Sequence, residues 1–357
     1  MEVAAVGAAA VAGGVAEQTD RHEEQRMQTK QNSFVKVSRA LALALSLCAT
    51  AVLVDVSAVQ AQTASAKVKQ KTFASPEEAA KAAAEAVASH DHDRKTLASI
   101  FGPGSERLFS SGDAVADRQL GERFTELYSE SHKVVPEGEG KAILQIGKND
   151  WPLPVPIVKQ GETWRFDTAA AQDEIIDRRI GRNELFTIQT ILAIADAQQD
   201  YAAKDRNGDG LLAYAQKFRS SPGKRDGLYW PTKAGEELSP LGALAADASA
   251  QGYRAGAQGK PQPYHGYYFR ILTGQGKDAP GGAYDYRVKG KMIGGFAILA
   301  YPASYGSSGV MTFMVNHDGV VYQKDLGPRT AALAGKIARF NPDSTWKKVD
   351  TAADTKS

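Results

Sequence analysis

The sequence predicts an α+β protein: N-terminal helices with a curved antiparallel sheet, a helical middle, and a C-terminal antiparallel β-sheet with a closing helix. Three observations predict it. Apolar residues recur at helical spacing after Ser75, and the period switches to alternation near Ala142. Residues 169–204 read as strongly helical, and five short β-rich runs separated by turn residues follow Tyr267.

Taken in order, Ser75-Pro76-Glu77-Glu78 opens the first helix. Ser75 suits the cap, Pro76 the first turn, and Glu78 the return bond to the Ser75 amide. That helix runs to about Ser89. A second spans about Asp93 to Phe101 and stops at Gly102-Pro103, and a third, about Asp117 to Ser131, carries Leu120, Phe124 and Leu127 on one face. Ala142, Leu144 and Ile146 then alternate with polar neighbours. Pro152 to Val158 and Thr163 to Phe166 read as further strands, giving an α+β unit over 72–168.

The segment 169–263 carries an apolar stripe of Leu185, Ile188, Leu192 and Ala195, with a break expected at Gly181 and a loop-rich stretch after Asp205. The β part, 264–349, has expected strands at Tyr267–Thr273, Ala283–Lys289, Met292–Tyr301, Val310–Asn316 and Val320–Lys324, closed by a helix over Thr330–Arg339. Residues 62–71 read as a flexible leader and 350–357 as a disordered tail.

The chain has 357 residues, a formal net charge of +2 and one cysteine, Cys48. Lys30, Lys36 and Arg39 precede an uncharged apolar run of 15 residues, Ala40 to Val54, and Val59-Gln60-Ala61 has the small-residue pattern of a cleavage site. This reads as a signal peptide over Met27–Ala61, shorter than the roughly 18 to 20 apolar residues of a bilayer-spanning helix. The expectation is a periplasmic or secreted protein with no membrane span after cleavage, the alternative being an N-terminal membrane anchor. Met1 to Arg26 fits nothing that precedes such a signal, so Met27 is the expected start. The mature chain has no cysteine, so neither a disulfide nor a thiol nucleophile is available to it. No basic block with interleaved aromatics recurs, which excludes nucleic acid as an expected partner.

Asp205-Arg206-Asn207-Gly208-Asp209-Gly210 offers the most specific chemistry. Oxygen-bearing side chains at the first, third and fifth positions and glycine at the sixth match the start of a calcium loop, because alternate residues turn their oxygens inward. The expected ligands are Asp205, Asn207, Asp209, the Leu211 carbonyl and Gln216, with Leu212 in the apolar slot that ties such loops down. Gln216 stands where a strong site has a bidentate carboxylate, so a weak, structural Ca2+ site is expected, against the simpler reading of a polar turn. His265 and His317, with Asp318 or Asp325, are weak catalytic candidates for a general base or a metal. Asn316 to Gly319 reads more simply as a β-hairpin turn, with Asp-Gly supplying its positive φ, and that is the favoured reading. Tyr229, Trp230, Tyr264 and Tyr267 form a possible aromatic platform for glycan or peptide, or simply pin a loop.

Several segments together resemble a family of secreted bacterial proteins, domain-of-unknown-function family 2950. They are Phe73 through Ala80, Asn149-Asp150-Trp151-Pro152, Trp164 through Thr168, Arg179 through Leu185, Asp205 to Gly210, Ser221-Pro222-Gly223-Lys224, and Ala283 through Gly327. The resemblance implies export and an α+β fold, and implies no activity. The helix-then-sheet order of 72–168 is also similar to cone-shaped, cystatin-like folds, whose concavity often holds small ligands. Three functions follow as expectations: a non-enzymatic envelope binding or structural protein with a calcium-stabilised loop and an envelope protein or glycan as partner; a periplasmic hydrolase or glycan-processing enzyme using His265, His317 and Asp318; or a carrier of a small apolar ligand in the N-terminal unit.

Overall fold

Ser75 starts the first helix, α1 (Pro76–Ala88), as its side chain dictates. Its Oγ accepts from the Glu78 amide at 3.1 Å. Glu78 Oε2 accepts from the Ala74 amide at 3.1 Å, one residue earlier than the expected partner. The computed structural model describes residues 69–89, 94–206, 208–233, 235–254 and 261–350. The end of the expected leader, 69–71, is tied to the fold, and 62–68 lie outside the described residues. Gln70 Nε2 donates to the carbonyls of Ile100 (3.1 Å) and Phe166 (2.8 Å), and Phe73 bridges to Trp164. The expected signal, its preceding extension and the tail lie outside the described residues, apart from Asp350.

Helices α2 (Arg94–Phe101) and α3 (Glu106–Phe109) follow, then α4 (Ala114–Glu130). Asp113 begins α4 three residues before the expected start, because its carboxylate accepts from the amides of Val115 and Ala116. Leu120 is 55% exposed, so it lies off the buried face that Phe124 and Leu127 share. The first sheet has the order β1 (His132–Pro136), β2 (Lys141–Ile146), β4 (Ile157–Gln160), β5 (Thr163–Phe166), with β3 (Trp151–Pro152) pairing β2. Alternation buries Ala142, Leu144 and Ile146 against α1 and α2, joined by Ile157 and Phe166.

A 3-10 turn, Thr168–Ala170, leads into α5 (Gln172–Ala202), 31 residues or about 46 Å long. It passes Gly181 without the expected break. Of the expected stripe, Ile188, Leu192 and Ala195 do pack on the C-terminal core, whereas Leu185 is 58% exposed. The centre of the buried face is Thr187, Ile191, Ile194, Gln198 and Tyr201, at alternating spacings of four and three. Polar members belong to that face because they are satisfied there. Gln198 donates to the Ala215 carbonyl (2.9 Å) and accepts from the Ala215 amide (2.8 Å), fastening the next segment to the helix. Ile176 belongs to the N-terminal core and Ile191 to the C-terminal one, so α5 serves both.

After α6 (Gly242–Ala250) the chain enters the second sheet. Its order is β14 (Lys347–Lys348), β13 (Val321–Asp325), β12 (Met311–Asn316), β11 (Ala297–Pro302), β6 (Tyr267–Leu272), all antiparallel. Two expected strands are each split. Ala283–Lys289 becomes β8 (Tyr284–Asp285), paired with β7 (Gly274–Gln275), and β9 (Arg287–Val288), paired with β10 (Lys291–Met292). Met292–Tyr301 breaks at Gly294-Gly295, where φ reaches +136° at Gly295 and a Cβ would sit 2.6 Å from the His317 ring. The closing helix α7 (Thr330–Lys336) ends earlier than expected. No helix among the described residues is long and apolar enough to cross a membrane.

Candidate functional site

Sheet register decides the histidine pair. His265 lies two residues before Tyr267, which pairs with Pro302, whereas His317 follows Asn316, which pairs with Ala297 at the other end of β11. At about 3.3 Å per residue those two anchor points on β11 lie roughly 17 Å apart, and the rings have no aromatic neighbour in common. The two histidines pack in different surroundings, which corrects the expectation that they work together. The His317 ring meets Tyr286 and Phe296 edge-on, and Asp318 bonds to Asn316 in an Asx turn, so Asn316 to Gly319 is the β12–β13 hairpin turn.

His265 belongs to a different constellation, centred on Asp113. The Asp113 side chain is buried, and its Oδ1 caps α4. Its Oδ2 accepts from the Tyr253 hydroxyl (3.0 Å) and from the Gly266 amide (2.8 Å). His265 stands beside it at φ +47°, stacked on Phe186 with centroids 4.4 Å apart, and its backbone amide donates to Tyr253 Oη. Its Nε2 is buried without a hydrogen-bond partner among the described residues. Burial lowers the histidine's affinity for a proton, and the Asp113 carboxylate opposes that in part. Close by, Asn183 donates to the Ser308 carbonyl (2.9 Å), and Glu184 Oε1 accepts from the amides of Val310 (2.9 Å) and Met311 (3.0 Å). The polar middle of α5 thus holds the loop between β11 and β12. Asp113 is not among the residues singled out from the sequence: an aspartate ahead of Ala114 is the kind of residue that caps a helix, but its bonds to Tyr253 and Gly266 carry no local signal.

The Asp205 loop folds around its first carboxylate. Asp205 accepts from the amides of Gly208 (2.8 Å), Asp209 (3.3 Å) and Gly210 (2.8 Å), and both glycines take positive φ. Asp209 makes an ion pair with Lys291 of β10. Gln216 turns its Nε2 to the Gly290 carbonyl at 2.8 Å. Asn207 lies outside the described residues. Arg206 anchors the loop: its side chain is 3% exposed, lies 5.5 Å from the Trp230 ring and pairs with Glu237 at 3.2 Å. Leu212 does not tie the loop down, since it is 59% exposed. Among the described residues, no three His, Cys, Asp or Glu side chains gather where they would hold a metal ion.

The aromatic platform does not form. Trp230 and Tyr267 are buried in the C-terminal core, and Arg206 and Arg225 cover the indole. Tyr229 packs against that core beneath Arg219, while Tyr264 sets its edge against Tyr253 and His265. These rings pin the long loop to the sheet.

A feature that sequence reading did not locate is a groove of about 600 Å³ at one end of the first sheet. Register places Pro136 opposite Ala142, Ala142 opposite Ile157, and Lys159 opposite Trp164. All five side chains therefore belong to the helix-covered face. The interior of that face is filled by Leu144, Ile157 and Phe166, each fully buried. Only its end, beside Pro76 and Glu77 at the start of α1, remains open, and Val134, Pro136, Ala142 and Trp164 line it.

Residues 70–349 match a protein family described as "Protein of unknown function (DUF2950)". The chain belongs to the DUF2950 family. The match takes in both sheets, α5, the Asp113 constellation and the groove, so these are parts of one DUF2950 unit. No curated protein and no solved structure matches the chain.

Proposed function

We propose that the mature chain is an exported binding protein of the cell envelope, acting by capture rather than catalysis, with its binding site in the open end of the first, cone-like sheet. The groove carries this reading: its volume lies within the roughly 300 to 1,000 Å³ of small-molecule sites, and apolar walls meet a few charged groups there. Export rests on the signal-like stretch Met27–Ala61. The separation of His265 from His317 favours binding over hydrolysis. The neutral fluorophore N-phenyl-1-naphthylamine should brighten on binding. Pro136→Trp, at an exposed site on the groove wall, should abolish that signal without lowering the melting temperature. No brightening, or brightening unchanged in the variant, would remove the groove as the site.

A second reading concerns stability. The Asp205 loop already points its first carboxylate inward, and Lys291 supplies Asp209 with a positive charge. A calcium ion bound by Asp205, Asn207, Asp209, the Leu211 carbonyl and Gln216 would take the place of that ammonium, so the two compete for Asp209. Dissociation constants of about 10⁻⁴ to 10⁻³ M are typical of extracellular calcium modules. Calcium at 100 times its dissociation constant should add about 2.7 kcal/mol. At roughly 2 to 4 °C per kcal/mol this raises the melting temperature by about 5 to 11 °C relative to chelator. Lys291→Met should lower the calcium concentration giving half the rise, and Asp209→Ala should abolish the rise. Equal melting in calcium and chelator for all three proteins would leave the loop a turn.

A further inference from the structure

The open end of the groove carries charges of both signs that form no ion pair among the described residues. Lys159, at the rim opposite Trp164, makes no ion pair among the described residues, and neither do Glu77 or Glu139. Their neighbours are already engaged. Lys141 pairs with Glu137 at 2.8 Å, and Glu78 is engaged by the Ala74 amide. The signs also come from different elements: Glu77 from the first turn of α1, Glu139 from the turn between β1 and β2, and Lys159 from the end of β4. The Lys159 amide donates to the Gly140 carbonyl at 2.8 Å, which sets the lysine beside the turn that bears Glu139.

A purely anionic ligand would meet two free carboxylates here, and a purely cationic one would meet a free ammonium. A dipolar ligand can meet complementary charge with each of its poles. We propose that the groove binds a small zwitterion with an apolar body, an amino acid or short peptide. Its ammonium sits toward Glu77 and Glu139, its carboxylate toward Lys159, and its side chain on Trp164 and Val134. This rests on the groove being the binding site, and it adds the chemistry of the occupant.

The test measures displacement of N-phenyl-1-naphthylamine from the full chain by three probes: L-leucyl-L-leucine, its N-acetyl derivative and its C-terminal amide. Exposed ion pairs are individually weak, so each blocked form should need about 3 to 5 times the concentration of the free dipeptide. Glu77→Gln/Glu139→Gln should erase only the discrimination against the acetylated form, and Lys159→Gln only that against the amide. All of these residues are exposed, so the variants should fold as the parent does. Equal displacement by the three probes would overturn the zwitterion proposal while leaving an apolar groove. A fluorophore that does not bind at all would overturn the groove reading, and this proposal with it.

Discussion

Asp113→Ala is expected to lose about 4 kcal/mol of stability, the largest effect of any polar substitution considered. The side chain accepts four hydrogen bonds, two from the start of α4, one from Tyr253 and one from Gly266. Losing a cap costs about 0.5 to 2 kcal/mol. Leaving a buried donor unsatisfied costs about 1 to 3 kcal/mol, and here the Tyr253 hydroxyl and the Gly266 amide both lose their acceptor. The melting temperature should fall by about 8 to 16 °C. Asp113→Asn tests the mechanism, because it can keep Oδ1 on the helix amides while placing an NH₂ where Tyr253 and Gly266 need an acceptor. It should fall between parent and alanine variant. An alanine variant melting within 2 °C of the parent would show that the constellation contributes little.

Gly309→Ala is expected to cost about 3 kcal/mol for a steric reason. A Cβ at Gly309 would lie 2.5 Å from Cζ of Tyr267 and nearer still to its hydroxyl. That ring cannot retreat, because Tyr267 is fully buried and its hydroxyl donates to the Met311 carbonyl at 3.0 Å. Inserted methylenes in packed cores cost about 1 to 3 kcal/mol, and contact with a rigid aromatic belongs at the upper end. The melting temperature should drop by about 6 to 12 °C. In the double variant with Tyr267→Phe the two losses should sum to less than their separate values, since the hydroxyl makes the closest contact. Strict additivity would place the cost elsewhere.

Local chemistry made much of the fold legible. Ser75-Pro76 marked α1, alternation at Ala142, Leu144 and Ile146 marked β2, and Asn316-His317-Asp318-Gly319 marked a hairpin turn. Where reading failed, long-range partners decided. The inward face of α5 includes Thr187 and Gln198 because a distant segment satisfies Gln198, a fact no local periodicity encodes. The split at Gly294-Gly295 reflects the close approach of His317, more than twenty residues away. The candidate site was less legible still. The Asp205 loop stood out by spacing alone, yet the ion pair to Lys291 needs β10 beside it. The groove arises only when four strands are in register and α1 stops short of their end.

Helix α5 has a consequence for how the molecule comes apart. Ile176 belongs to one core and Ile191, Ile194 and Tyr201 to the other, on a single unbroken helix. Asn183 and Glu184, between them, hold the loop after β11. Fraying one core loosens the residues that brace the other, so the two sheets share a single cooperative fate. The amide protons in the middle of α5 are therefore expected to exchange only when the whole molecule opens, which hydrogen exchange would measure. A lesion in either half is then expected to show as instability of both.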